Sequence, residues 1–155
     1  DALPIYMSKI WSYLAVVLWM GLIFFFSSQP ADDSKELSTG VTEVILSVVE
    51  AVAPESDLFV DHLHHFVRKN AHFLIYFVLG ILVVRAFRLS EIQGKKSIVF
   101  ALAICIVYAI SDELHQLFVP GRGAQVKDVL IDSTGAFVGI IIYSWLKGLR
   151  RSSKA

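Results

Sequence analysis

Cysteine is almost missing from this 155-residue chain, which has a single one, Cys105, in the middle of an apolar run. One thiol can build neither a disulfide framework nor a thiolate zinc site, and the residue reads as packing. Net charge is missing too, since 14 Lys and Arg balance 14 Asp and Glu. Without a global basic field, and without any motif of a nucleic-acid-binding module, nucleic acid is set aside as a partner. Charge of either sign is scarce, at 18% of residues against 55% hydrophobic ones, and the mean hydropathy is +0.63. That balance is too apolar for a soluble domain of this size and points to an integral membrane protein. Internal repeats and low-complexity tracts are absent. The first apolar run also lacks a signal-peptide cleavage pattern. It continues into Phe24, Phe25 and Phe26 instead of small residues, so it is expected to stay in the mature protein. Asp1 to Tyr6 precede the first methionine, Met7, and are expected to be a remnant outside the native chain.

What the chain has in quantity is long apolar sequence. Four runs, about 10–26, 71–87, 97–118 and 126–146, can each cross a hydrocarbon core as a helix, which takes about 20 residues and tolerates about 17 to 25. The expected fold is therefore all-α, a bundle of four transmembrane helices forming a single domain over 7–155. Ser27 to Asn70 is the only long connection. Within it Val41, Val44, Ile45, Val48, Val49 and Val52 recur on one helical face, which predicts an amphipathic helix on the membrane surface or over the mouth of the bundle. Lys9, Arg85, Arg88, Lys95, Lys96, Lys147, Arg150, Arg151 and Lys154 all fall on one side of the predicted spans, whereas the long connection is acidic from Asp32 to Asp61. Cytoplasmic loops carry the excess of Lys and Arg, so both termini are expected in the cytoplasm and the long loop outside.

Given that topology, the polar residues inside or next to the spans converge. Ser27, Ser28, Gln29 and Pro30 end the first span on the outer side, and Arg68, Lys69, His72 and Tyr76 open the second there. Asp112, Glu113, His115 and Gln116 end the third, while Arg122, Asp128 and Asp132 follow the Pro120-Gly121 turn into the fourth. Helical spacing aligns His65, Lys69, His72 and Tyr76 in one stripe, Asp112 with His115 and Gln116, and Asp128 with Asp132. Ionisable groups at that depth cost several kcal/mol if they face lipid, so they are expected to turn inward around a wet cavity. Just below the carboxylates, Gly135, Ala136 and Gly139 make a small-residue patch that predicts close packing against a neighbouring helix.

Three stretches, "FSSQ" (Phe26 to Gln29), "RKNAHFLIYFVLG" (Arg68 to Gly80) and "SDELHQLFVPGRGAQVKDVLIDSTGAFVG" (Ser111 to Gly139), resemble the signature blocks of the VanZ-like membrane proteins. The resemblance involves all four spans. It implies a small polytopic protein of the bacterial cell membrane, from a family whose name-giving member is associated with resistance to the lipoglycopeptide teicoplanin. It carries over no catalytic residues, so the chemistry is read from the side chains.

Asp112, Glu113, His115, His72, Asp128 and Asp132 are the candidate catalytic groups, with the two imidazoles as proton-transfer candidates. Arg68, Lys69 and Arg122 make a candidate anion cradle, since a guanidinium fork matches phosphate or carboxylate and Gly121 and Gly123 let backbone N–H groups come near. Ser28, Gln29, Tyr76 and Gln116 are supporting polar groups. Asp112, Asp128 and Asp132, helped by Glu113 or His115, are candidates to ligate a divalent cation. The opposing reading of the acidic group is an inter-helix salt-bridge scaffold with Arg68, Lys69 and Arg122 as counter-ions. Ser27 and Ser28 read more simply as a helix cap than as nucleophiles, and His62 and His64 as interfacial contacts. The leading expectation is a pocket on the extracytoplasmic side that binds, and hydrolyses or transfers, an anionic membrane lipid or lipid-linked cell-wall precursor. Two other classes stay open: a non-catalytic protein that binds or shields lipid or antibiotic, and, ranked last, a proton-coupled transporter.

Overall fold

The helices follow from long apolar runs without interior proline. Pro4 lies in the first turn of its helix, where a missing N–H costs nothing, and Pro30 and Pro120 lie beyond helix ends. A computed structural model of the chain describes residues 3–30, 43 and 57–152, with side chains described from 5 to 30, at 43 and from 69 to 149. The elements among the described residues are α1 (Leu3–Ser27), α2 (Asp57–Leu89), α3 (Gly94–Gln116) and α4 (Val126–Ser152), and no strand occurs among them. Each helix contains a stretch long and apolar enough to span a membrane: Ile5–Ser27, Lys69–Leu89, Gly94–Gln116 and Val126–Leu149. Exposed side chains such as Leu18, Phe25, Val107, Leu130 and Trp145 cover the outside of the bundle, as a surface that meets lipid requires.

The third span stops two residues short of the expected Phe118. Leu117, Phe118 and Val119 donate to the carbonyls of Leu114, His115 and Gln116, a tightened three-residue spacing, and Pro120 cannot continue the helix. Gly121 follows at a φ of 74°, a left-handed turn position open to glycine. The amphipathic helix expected over Val41 to Val52 lies outside the described residues.

α2 touches all three other helices, and its longest seam is with α4. The two approach closely there because no side chain separates them. A Cβ built at Gly135 would run into the backbone carbonyl of Phe73, one at Gly139 into that of Phe77, and one at Gly80 into that of Ala136. The predicted small-residue patch is thus half of a glycine seam whose other half, Gly80, lies on α2. Such backbone contact is what holds helices together where lipid tails are as apolar as side chains. α3 packs with a face of small residues, Ser97, Ala101, Cys105 and Ala109, all fully buried.

At the Ser97 end of the bundle, Arg88 ties three helices together. Its Nε donates to Ser97 Oγ of α3 at 3.2 Å and its Nη2 to Ser144 Oγ of α4 at 2.9 Å. Hydrogen bonds from a charged donor contribute about 1.5 to 3 kcal/mol. Arg88→Ala should therefore lower the unfolding free energy of the detergent-solubilised protein by about 2 kcal/mol, and Arg88→Lys should recover only part of it, lacking the fork. An unchanged unfolding midpoint for Arg88→Ala would remove this role.

Candidate functional site

The buried face of α3 changes character over its last two turns. After Ala101, Cys105 and Ala109 it continues as Asp112, Glu113 and Gln116, all buried. On α1 the buried face Val16, Ile23 and Ser27 ends the same way, in a hydroxyl. The two polar ends meet: Ser27 Oγ donates to Asp112 Oδ2 at 2.7 Å, and Gln116 Nε2 lies 3.5 Å from Ser27 Oγ.

α4 contributes Asp132, which is 0% exposed and sits one turn before Gly135. The close approach at Gly135 draws that turn onto α2 beside Phe73, whose neighbour is His72. His72 Nδ1 comes to 3.5 Å from Asp132 Oδ1, within ion-pair reach. Asp112 completes the group. His72, Asp112 and Asp132, one from each of α2, α3 and α4, present ligand atoms that all lie within 4.8 Å of one another. Tyr76, one turn along α2, is fully buried, with its ring tilted against that of Tyr108 at a centroid distance of 6.2 Å.

Polar satisfaction is poor at this end. Tyr76 Oη, Asp112 Oδ1, Glu113 Oε1, His115 Nε2 and both carboxylate oxygens of Asp132 are buried without a hydrogen-bond partner. Native interiors pair the large majority of buried side-chain polar atoms with protein or ordered water, so these groups need partners beyond the side chains around them.

The remaining expected residues take distinct places. Glu113 Oε2 accepts the Gln125 backbone N–H at 2.8 Å, which anchors the turn before α4 and sets a carboxylate at that helix's N-terminus. His115 turns towards α1 and stacks on Phe24, ring centroids 4.5 Å apart. Ser28 Oγ donates to the Phe25 carbonyl at 2.8 Å and Gln29 Nε2 to the same oxygen at 3.3 Å, so both finish the α1 terminus, as the cap reading predicts. Arg122 Nη1 donates to the Ser27 carbonyl at 2.9 Å, holding the α3–α4 turn against the end of α1. The backbone of Arg68 belongs to α2, while its side chain, like those of His62, His64 and His65, lies outside the described residues.

A polar cavity of about 110 Å³ opens at this end, lined among others by Lys69, His72, Gln116, Arg122, Gln125 and Asp128. It has room for several water-sized groups. Gly121 and Gly123 form part of its wall, and nothing stands within 4 Å of where a Cβ of Gly123 would be. Of the three aspartates expected to hold a cation, Asp128 stays at the cavity wall. The structure groups the other two with His72 instead.

Ser27 is the site residue that the sequence reading passed over as part of a cap. Its signal was the helical period from Val16 through Ile23, which turns Ser27 inward and Ser28 outward. A family model described as VanZ/LLP1 matches residues 12–147, a stretch that contains every residue of the cluster. No curated protein and no solved structure matches the chain.

Proposed function

The chain belongs to the VanZ/LLP1 family, and on that premise we propose that this multi-pass membrane protein takes the anionic head group of a lipid-linked cell-envelope molecule into the cavity at the Gln116 end and hydrolyses or transfers it there. One observation carries the reading. Lys69 and Arg122 border the same cavity as His72, and His72 in turn lies against Asp132 and Asp112. Cations that hold a phosphate in front of a buried imidazole and two carboxylates are the arrangement that phosphoester chemistry uses.

The polar cluster lies at the end of the bundle opposite Arg88, Lys95, Lys96 and Lys147, so by the distribution of basic residues the cavity opens on the extracytoplasmic side of a bacterial cell membrane. That side agrees with a substrate in the envelope, where the teicoplanin resistance associated with the family's name-giving member also acts. The other end of the substrate needs no pocket, since a lipid tail remains in the bilayer beside the apolar outer surface of the bundle.

The reading is tested by binding a polyprenyl phosphate and the matching polyprenyl alcohol to the purified protein and counting both by native mass spectrometry. The phosphate should bind at least about 10-fold more tightly, and Lys69→Gln should remove about that factor, because a charge-assisted hydrogen bond contributes about 1.5 to 3 kcal/mol. Lys69 is the better position to change, since Arg122 also holds the end of α1. Equal affinity for phosphate and alcohol would sink the proposal. A phosphate preference with no turnover of any phosphoester would support a binding or shielding protein in its place.

A further inference from the structure

We infer that His72, Asp112 and Asp132 are the protein ligands of a divalent transition-metal ion, of the kind of Mn²⁺ or Zn²⁺, at the inner wall of the cavity. The inference deepens the proposed function and rests on it for the substrate, while the geometry stands by itself.

Four observations carry it. The three ligand atoms come from three different helices and lie within 4.8 Å of one another. Ligands about 2.0 to 2.2 Å from one ion are about 3 to 4 Å apart, so closure needs a side-chain movement of about 1 Å. Asp132 is 0% exposed, and neither of its oxygens has a hydrogen-bond partner. A second carboxylate, Asp112, is 4% exposed and stands beside it, and its Oδ1 also has no hydrogen-bond partner. Two buried carboxylates side by side repel one another, and His72 at 3.5 Å is too distant from Asp132 to satisfy both. A dication neutralises the pair and uses the orphaned oxygens.

The last observation is the hydrogen bond from Ser27. It occupies Asp112 Oδ2 at 2.7 Å, while Oδ1 is buried with no hydrogen-bond partner. Fixing one oxygen of a ligating carboxylate by an outer hydrogen bond is how metal sites orient their ligands. A mixed imidazole and carboxylate set without thiolate suits manganese or zinc better than magnesium. Three protein ligands leave coordination positions open, and His72, which lines the cavity, puts those positions within reach of a head group held by Lys69 and Arg122. An ion there would act as a Lewis acid on a phosphoryl oxygen.

The test uses the full chain in detergent, stripped with a chelator and titrated with Mn²⁺ or Zn²⁺, with bound metal counted by mass spectrometry and unfolding followed by circular dichroism. One equivalent per chain and a raised unfolding temperature are expected. Asp132→Asn should weaken the affinity at least 100-fold while keeping helicity, and Ser27→Ala should weaken it by about 10-fold with the stoichiometry intact. If the wild type takes up no stoichiometric metal, or if Asp132→Asn binds it as tightly, the site is not a metal site. The two proposals fail separately. Metal-free protein that still prefers polyprenyl phosphate over the alcohol leaves only the cation refuted, and protein that binds metal but shows no such preference leaves only the head-group reading refuted.

Discussion

Gly135→Leu is expected to open the seam between α2 and α4 and to dismantle the site with it. A side chain at this position meets the Phe73 backbone carbonyl, which cannot rotate aside as a flexible side chain could. Overpacking a well-filled interior costs about 1 to 3 kcal/mol and sometimes more, and an obstacle made of backbone belongs at the upper end. α4 must lift or slide, and Asp132 lies three residues before Gly135 on the same face, so it is carried away from His72. The variant should lose at least about 3 kcal/mol of stability in detergent, and its affinity for metal or phosphate head group should fall with it. Gly21→Ala is the matching control. Gly21 sits within α1 with nothing inside 4 Å of a built Cβ, so the change should raise stability by about 0.5 to 1 kcal/mol through helix propensity. If Gly135→Leu melts with the wild type, the glycine seam is not what positions the cluster.

For Asp132→Asn the expected result has two parts that pull in opposite directions. Turnover of a lipid-linked phosphoester should fall by at least about 10²-fold, because the ion that Asp132 helps to hold would be lost with it. Stability of the chelator-treated protein should stay level or rise. The amide keeps the shape of the carboxylate but removes one of two buried carboxylates that stand side by side, Asp132 and Asp112, whose repulsion the His72 imidazole at 3.5 Å offsets only in part. A residue that destabilises the fold while the function depends on it shows the usual trade between stability and activity. The scaffold reading forecasts the reverse pattern, since breaking a structural pair at His72 would cost about 3 to 5 kcal/mol and leave the chemistry alone. Release of phosphate together with a thermal melt on the same preparation separates the two. A large drop in melting temperature with turnover intact would retire Asp132 as a reactive residue.

Much of the architecture is readable one helix at a time. Four apolar runs of membrane-spanning length, the first followed by Pro30 and the third by Pro120, lead directly to α1, the long part of α2, α3 and α4. The gathering of acidic, basic and imidazole side chains at one end follows from counting residues along alternating spans. The patch at Gly135, Ala136 and Gly139 also announces a close helix contact, because small residues grouped on one face let two backbones approach.

Neighbouring residues with the same chemistry resist that treatment. Asp112 and Glu113 are adjacent and both are buried, yet one turns to Ser27 and His72 while the other turns to the Gln125 amide. Asp128 and Asp132 share a helical face, yet a single turn of depth separates a residue on the cavity wall from one with no exposure at all. His115 lies within one turn of Asp112 and still stacks on Phe24 of α1, away from the group that His72 joins.

Length, hydropathy and periodicity are properties of each segment alone, and by themselves they determined that this protein is an all-helical bundle with four spans long enough to cross a membrane and a polar layer at one end. Which of those polar residues meet depends on how far each helix is turned about its axis and how deep it sits against its neighbours. In this protein the contacts of Gly80, Gly135 and Gly139 with opposing carbonyls set both quantities for α2 and α4, and the Ser27–Asp112 hydrogen bond joins α1 to α3. The tertiary structure therefore decided that His72 stands with Asp112 and Asp132 in place of Asp128, because only packed backbones in three dimensions convert a shared helical face into a shared site.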